Sequence, residues 1–138
     1  MNYGRVILGG LVAGLVLNAG EFLLNAVILH NAMVEWAKAH NLPEDPGPSF
    51  LIVAVGLTFV LGIVMVWLYA LIRPRLGPGP KTAIIAALVL WFGVYIYCGI
   101  IYGILLVQPM NAIAIAAGFG LVEYILAAIA GAWLYKEV

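Results

Sequence analysis

The sequence predicts an all-α polytopic membrane protein, a bundle of four transmembrane helices with its N- and C-termini in the cytoplasm. Three observations carry this. Of the 138 residues, 66% are hydrophobic and only 9% charged, with a mean hydropathy of +1.15. A water-soluble domain usually carries about 25% charged residues, so this chain cannot cover a core with a polar surface. The apolar residues fall into four runs long enough to cross a bilayer, which takes about 20 residues each. Lys and Arg collect on one side of that four-span arrangement. The four spans and their connections use nearly the whole chain, so residues 1–138 form a single membrane domain whose first partner is the lipid bilayer.

The first span covers residues 5–29. Arg5 followed by an apolar run resembles a signal peptide, but the apolar character continues through Phe22 to Leu29, too long for a signal core. It is expected to remain as the first helix. The loop at 30–49 ends in Leu42-Pro43-Glu44-Asp45-Pro46-Gly47-Pro48, whose prolines exclude a continuous helix. Before them, residues 31–40 suit a short interfacial helix with Met33, Trp36 and Ala37 on its apolar side. The second span covers 50–72 and stops at Arg73-Pro74-Arg75-Leu76-Gly77-Pro78-Gly79-Pro80-Lys81, which reads as a stiff, tight turn. The third covers 82–107. Gln108-Pro109-Met110-Asn111 separates it from the fourth, at 112–135. Short connections make neighbouring helices antiparallel.

Arg5, Arg73, Arg75, Lys81 and Lys136 fall on one side, whereas Lys38 alone falls on the other, beside Glu35, Glu44 and Asp45. The positive-inside rule therefore places both termini and the 73–81 turn in the cytoplasm, and the acidic loop outside. Trp67-Leu68-Tyr69 recurs as Trp133-Leu134-Tyr135. An aromatic belt accounts for the repeat, and an old duplication of a helical hairpin is the alternative.

Arg5-Val6-Ile7-Leu8-Gly9-Gly10, Ala13-Gly14, Asn18, Glu21 and Asn25, with Ile72-Arg73-Pro74-Arg75, Gly79-Pro80-Lys81-Thr82 and Gly131-Ala132-Trp133-Leu134-Tyr135-Lys136, resemble small four-span bacterial integral membrane proteins of uncharacterised function. The resemblance would span most of the chain. It implies a bacterial cytoplasmic (inner) membrane, but no activity, substrate or catalytic residue.

Glu21 is the main anomaly, because a carboxylate at membrane depth costs about 2.5–3.5 kcal/mol on insertion scales. At 100° per residue, Gly10, Gly14, Asn18, Glu21 and Asn25 share one stripe. Gly10 and Gly14 form a G-x-x-x-G pair that admits a close neighbour. The stripe reads either as packing with interhelical hydrogen bonds, or as a proton- or cation-binding site in which Glu21 is joined by Asn18 and Asn25. Glu123, mid-span in the fourth helix, lies on a stripe with Ala116, Phe119, Ala127 and Ala130. Ala127 and Ala130 are expected to pack closely against a neighbouring helix. Counted from the cytoplasmic side, the two acids are offset by roughly 6 Å at about 1.5 Å per residue, so contact between them, with a shared proton or cation, is possible but not required. Tyr95 and Tyr102 share a side of the third span with Trp91 and Cys98, beside Gly99 and Gly103. Their hydroxyls either pack with the aromatic side or donate to an acid.

Several classes are disfavoured. Cys98 is the only cysteine, so no disulfide forms within the chain. His30 and His40 lie at the outer membrane edge, and no metal or other cofactor is expected. No basic block points to nucleic acid. No nucleophile triad or H-E-x-x-H pair points to an enzyme. The remaining expectations are a small oligomeric transporter or channel using the intramembrane carboxylates for a proton or cation, and a non-catalytic accessory subunit of a larger membrane complex. Small residues left on lipid-facing surfaces suit a homo-oligomer or contact with other subunits.

Overall fold

The computed structural model describes residues 1–137 and is helical throughout, with no strand among the described residues. Four helices are long and apolar enough to cross a membrane: α1 (Tyr3–Ile28), α3 (Pro48–Leu76), α4 (Pro80–Ile104) and α5 (Met110–Leu134). The short α2 (His30–Ala39) follows α1. The long helices stand at four corners in the order α1, α3, α4, α5, each touching the next, with α5 closing back on α1. Helices α1 and α4 are diagonally opposite.

Sequence chemistry sets the helix ends. Asn2 caps α1 by accepting from the Arg5 N–H at 3.2 Å, the usual role of an amide at that position. Pro48 and Pro80 each open a helix, where a missing N–H is harmless. Helix α3 does not stop at Arg73. It continues through Pro74 to Leu76 and ends at Gly77, whose φ of +84° suits glycine. Proline at this point removes only one bond of the closing turns, so the helix absorbs it. The tight turn is thus only residues 77–79, with Gly79 at φ +127°. At the other ends, α4 stops at Ile104 and α5 starts at Met110, just after Pro109.

Both termini and the 77–79 turn lie at one end of the bundle, here the termini end. The Asn2 N–H donates to the Tyr135 hydroxyl at 3.3 Å, and the Gly79 N–H to the Tyr69 hydroxyl at 3.3 Å. Tyr69 and Tyr135 meet edge to face with centroids 5.9 Å apart. Arg73 bonds Glu137 at 3.0 Å and lies over the Tyr135 ring. In the two Trp-Leu-Tyr copies the tyrosines are therefore buried together, while Trp67 and Trp133 face outward.

The core fills this half of the bundle. Ala13, Leu17, Met65, Val66, Ala83, Ala86, Ala87, Tyr124 and Ala127 are almost wholly enclosed. Small residues let the backbones approach closely. A Cβ on Gly62 would lie 2.5 Å from both the Gly10 carbonyl oxygen and the Gly14 nitrogen, so α1 and α3 cross backbone on backbone. Gly9 and Gly131 bring α1 and α5 together in the same way. Gly131, not Ala130, occupies that contact. Ala130 lies one position round the helix and stays half-exposed, whereas Ala127 is fully buried. From Phe50 to Leu57 every side chain of α3 except the half-exposed Ala54 is exposed.

Candidate functional site

At the opposite end, the loop end, the bundle is open. Two helix distortions shape it. Helix α1 widens into a π-helical stretch over Leu23–Ile28, and α4 does the same over Phe92–Tyr97. Such stretches shift side-chain register within a helix and occur often at functional sites. Glu21 lies just before the first, Asn25 lies within it, and Tyr95 lies within the second.

These three residues form one hydrogen-bonded group. The Asn25 amide donates to Glu21 Oε2 at 2.9 Å and to the Glu21 backbone oxygen at 2.9 Å. From the diagonally opposite helix, the Tyr95 hydroxyl donates to Glu21 Oε1. Each carboxyl oxygen thus accepts from a neutral donor, and no Lys, Arg or His joins the group among the described residues. Tyr95 is held in place by α5. Its ring fills the space beside Gly120, where any side chain would collide with it, and meets Tyr124 edge to face with centroids 5.3 Å apart.

Glu123 follows Gly120 by one turn of α5. It is 5% exposed, and both carboxyl oxygens are enclosed without a hydrogen-bond partner among the described residues. The carboxyl lies against the α1 backbone, where a Cβ on Gly20 would come within 2.6 Å of Glu123 Cδ. Gly20 precedes Glu21, so the two acids flank the same turn of α1. No hydrogen bond links them. A buried polar group without a partner is costly and rare, and its place calls for an explanation.

A pocket of about 300 Å³ runs between α1, α2, α4 and α5 to this group. Glu21 and Tyr95 lie at its inner end. Asn25 and Tyr102 line its side, and Gln108 and Met33 its rim. Leu24, Leu29 and Ala112, which also line it, form a small separate core. No residue of α3 contributes. A second hollow lies elsewhere on α4, among Ile85, Leu88, Val89 and Phe92. It is an apolar surface groove with no group that could orient a ligand or hold a proton.

Of the residues singled out from sequence, Glu21, Asn25 and Tyr95 come together, and Glu123 lies behind them. Asn18 does not join. Its amide donates to the Gly14 carbonyl at 2.9 Å, one turn back in its own helix, and it does not line the pocket. Tyr102 lines the pocket but is 45% exposed and donates to no acid, because α4 carries it toward the loop end, away from Glu21. Gly10 and Gly14 lie at the α1–α3 crossing, away from the pocket. Sequence reasoning missed Gly20, Gly120, Tyr124 and Gln108. The available signal was a glycine one residue before Glu21 and another one turn before Glu123, each leaving room for a bulky neighbour. No group of three or more His, Cys, Asp or Glu side chains that could hold a metal ion occurs among the described residues.

Fold and composition together give an all-helical chain with four helices long and apolar enough to cross a membrane, and with a pocket lined by Glu21, Asn25 and Tyr95 at one end. Comparison with models of protein families, with curated proteins and with solved structures gives no match.

Proposed function

We propose that this chain is a small membrane transporter or channel that takes up a proton or cation at Glu21, with Glu123 as the second carboxyl of the site. The single observation that carries this reading is the placement of Glu21. It lies at the inner end of a pocket open at the loop end, held by two neutral donors and no cation. Acids within a membrane span commonly mark ion and proton pathways. The termini-end half is closed by the glycine contacts of α1 with α3 and α5, so a single copy in this conformation is a one-sided vestibule. Passage requires a conformational change or assembly of several copies. The charge bias of the loops supports a cytoplasmic termini end and a pocket facing outward from a bacterial cytoplasmic membrane. No catalytic role is proposed for these side chains.

The test is flux into proteoliposomes. Replacement of Glu21 with Gln keeps the shape and removes the charge, although the amide offers one acceptor oxygen where the carboxyl offered two to Asn25 and Tyr95. Proton or cation flux is expected to fall at least tenfold, and unchanged flux sinks the proposal.

A second reading, a non-catalytic accessory subunit, draws on residues 50–57 of α3, which face outward on nearly every side. Native mass spectrometry of gently extracted protein separates the two. Fixed amounts of other subunits support the accessory role, and a homo-oligomer alone supports transport.

A further inference from the structure

The geometry points to an organic monocation, an ammonium group carrying an apolar body of about benzyl size, as the ligand of the Glu21 pocket. This rests on the proposed role of the pocket as the substrate site and names its substrate class.

The argument starts with charge. Glu21 is the only ionisable acid lining the pocket, and no Lys, Arg or His lines it. Its two oxygens accept from the Asn25 amide and the Tyr95 hydroxyl. Both donors are neutral and supply no countercharge, so a ligand that pairs with the Glu21 carboxyl by charge carries positive charge. The walls then decide the kind of cation. A hard inorganic ion replaces its hydration shell with several oxygen ligands, six or more for calcium. Here Leu24, Met33, Val94 and Ile113 present hydrocarbon and a thioether, which are poor replacements for water around such an ion. An ammonium with its own apolar substituents needs one carboxylate, and it gains from aromatic neighbours such as Tyr95 and Tyr102, which both line the pocket. The volume of about 300 Å³ lies at the lower end of small-molecule pockets, roughly 300–1,000 Å³, and suits a single ring with a substituted amine.

The experiment is calorimetric titration of the detergent-purified full chain with benzyltrimethylammonium chloride. Benzyl alcohol serves as the neutral control and benzenesulfonate as the anionic one. Saturable binding of the cation alone is expected. Glu21→Gln should weaken it at least tenfold, while Glu21→Asp should retain most of it. Tyr102→Leu, at a half-exposed position that does not threaten the fold, should weaken it about three- to tenfold, the range of a cation–π contact at a partly exposed site. Equal affinity in Glu21→Gln, comparable binding of either control, or no saturable binding by folded protein overturns the inference. The two claims fail separately. Glu21-dependent cation binding without any flux in liposomes keeps the ligand class and removes the transport role. Glu21-dependent proton or sodium flux without organic-cation binding does the reverse.

Discussion

Gly62→Ala tests whether the α1–α3 crossing holds the termini-end half shut. The added methyl would lie 2.5 Å from the Gly10 oxygen, 2.5 Å from the Gly14 nitrogen and 2.8 Å from the Gly14 Cα. Ordinary contact begins at 3.4 Å, so the shortfall is close to 1 Å, and every atom met is backbone. No rotamer change relieves it, and the helices have to separate. Overpacking of this kind costs about 1–3 kcal/mol, and rigid neighbours place it at the upper end. The opening also loosens the packing of Gly10 on Ile63 and of Gly14 on Phe59 in the same seam. Against this, alanine gains about 0.8–1 kcal/mol of helix propensity over glycine. The expected net loss is about 2 kcal/mol. The assay is reversible unfolding in mixed micelles titrated with dodecyl sulfate, followed by tryptophan fluorescence. Gly56→Ala, six residues earlier in α3, is the internal control. Nothing lies within 4 Å of its added methyl, so it should be neutral or stabilise by up to about 1 kcal/mol. If Gly62→Ala unfolds at the wild-type midpoint, or later than Gly56→Ala, the backbone-on-backbone account of the crossing is wrong.

Three further outcomes follow from the site and from the termini end. Tyr95→Phe keeps the ring beside Gly120 but removes the hydroxyl that bonds Glu21; a loss of about 1.5 kcal/mol is expected in the same unfolding assay, and an unchanged midpoint would show that the bond does not stabilise the folded chain. Glu123→Leu replaces an enclosed carboxyl that has no partner among the described residues by hydrocarbon of similar size. It should stabilise the fold by about 1–3 kcal/mol while reducing flux, and a destabilised variant would mean that Glu123 has a partner. Arg73→Ala removes the Glu137 ion pair and the contact over Tyr135; because Glu137 is half-exposed, the loss should stay below about 1 kcal/mol and shrink further at high salt, and a larger loss would assign the pair a greater part in fixing the C-terminus.

The four long helices and their antiparallel order were legible in the sequence because hydropathy and loop chemistry are local signals. Proline and glycine marked the connections, yet Pro74 shows the limit of that rule. Near the end of a helix only one hydrogen bond is lost, and α3 runs on through the exposed Pro74, Arg75 and Leu76 to its glycine stop at Gly77. The site was legible only in part. Two acids at membrane depth stand out in any apolar sequence, and Tyr95 was on the right helix to donate to one. Helical stripes, however, assume a constant 3.6-residue period. The π-helical stretches in α1 and α4 break it beside Glu21 and at Tyr95, so the periodicity that grouped Asn18 with Glu21, and Tyr95 with Tyr102, does not decide which of them meet. Asn18 satisfies itself on its own backbone, an option open to any asparagine in a helix and one that spacing does not resolve. The same holds for Ala130 and Gly131, where a shift of one position around the helix exchanges a half-exposed face for the closest contact between α1 and α5.

The crossing at Gly62 is also a fulcrum. From it, the arm of α3 up to Pro48 spans fourteen residues, roughly 21 Å at about 1.5 Å per residue. A rocking of about 5° at the glycines, far smaller than the spread of angles at which helices pack, swings the far end by roughly 2 Å. That is on the order of a methyl group's width. Because residues 50–57 are almost entirely exposed, nothing within a single copy opposes that swing, and whatever covers this stretch of α3 sets its angle.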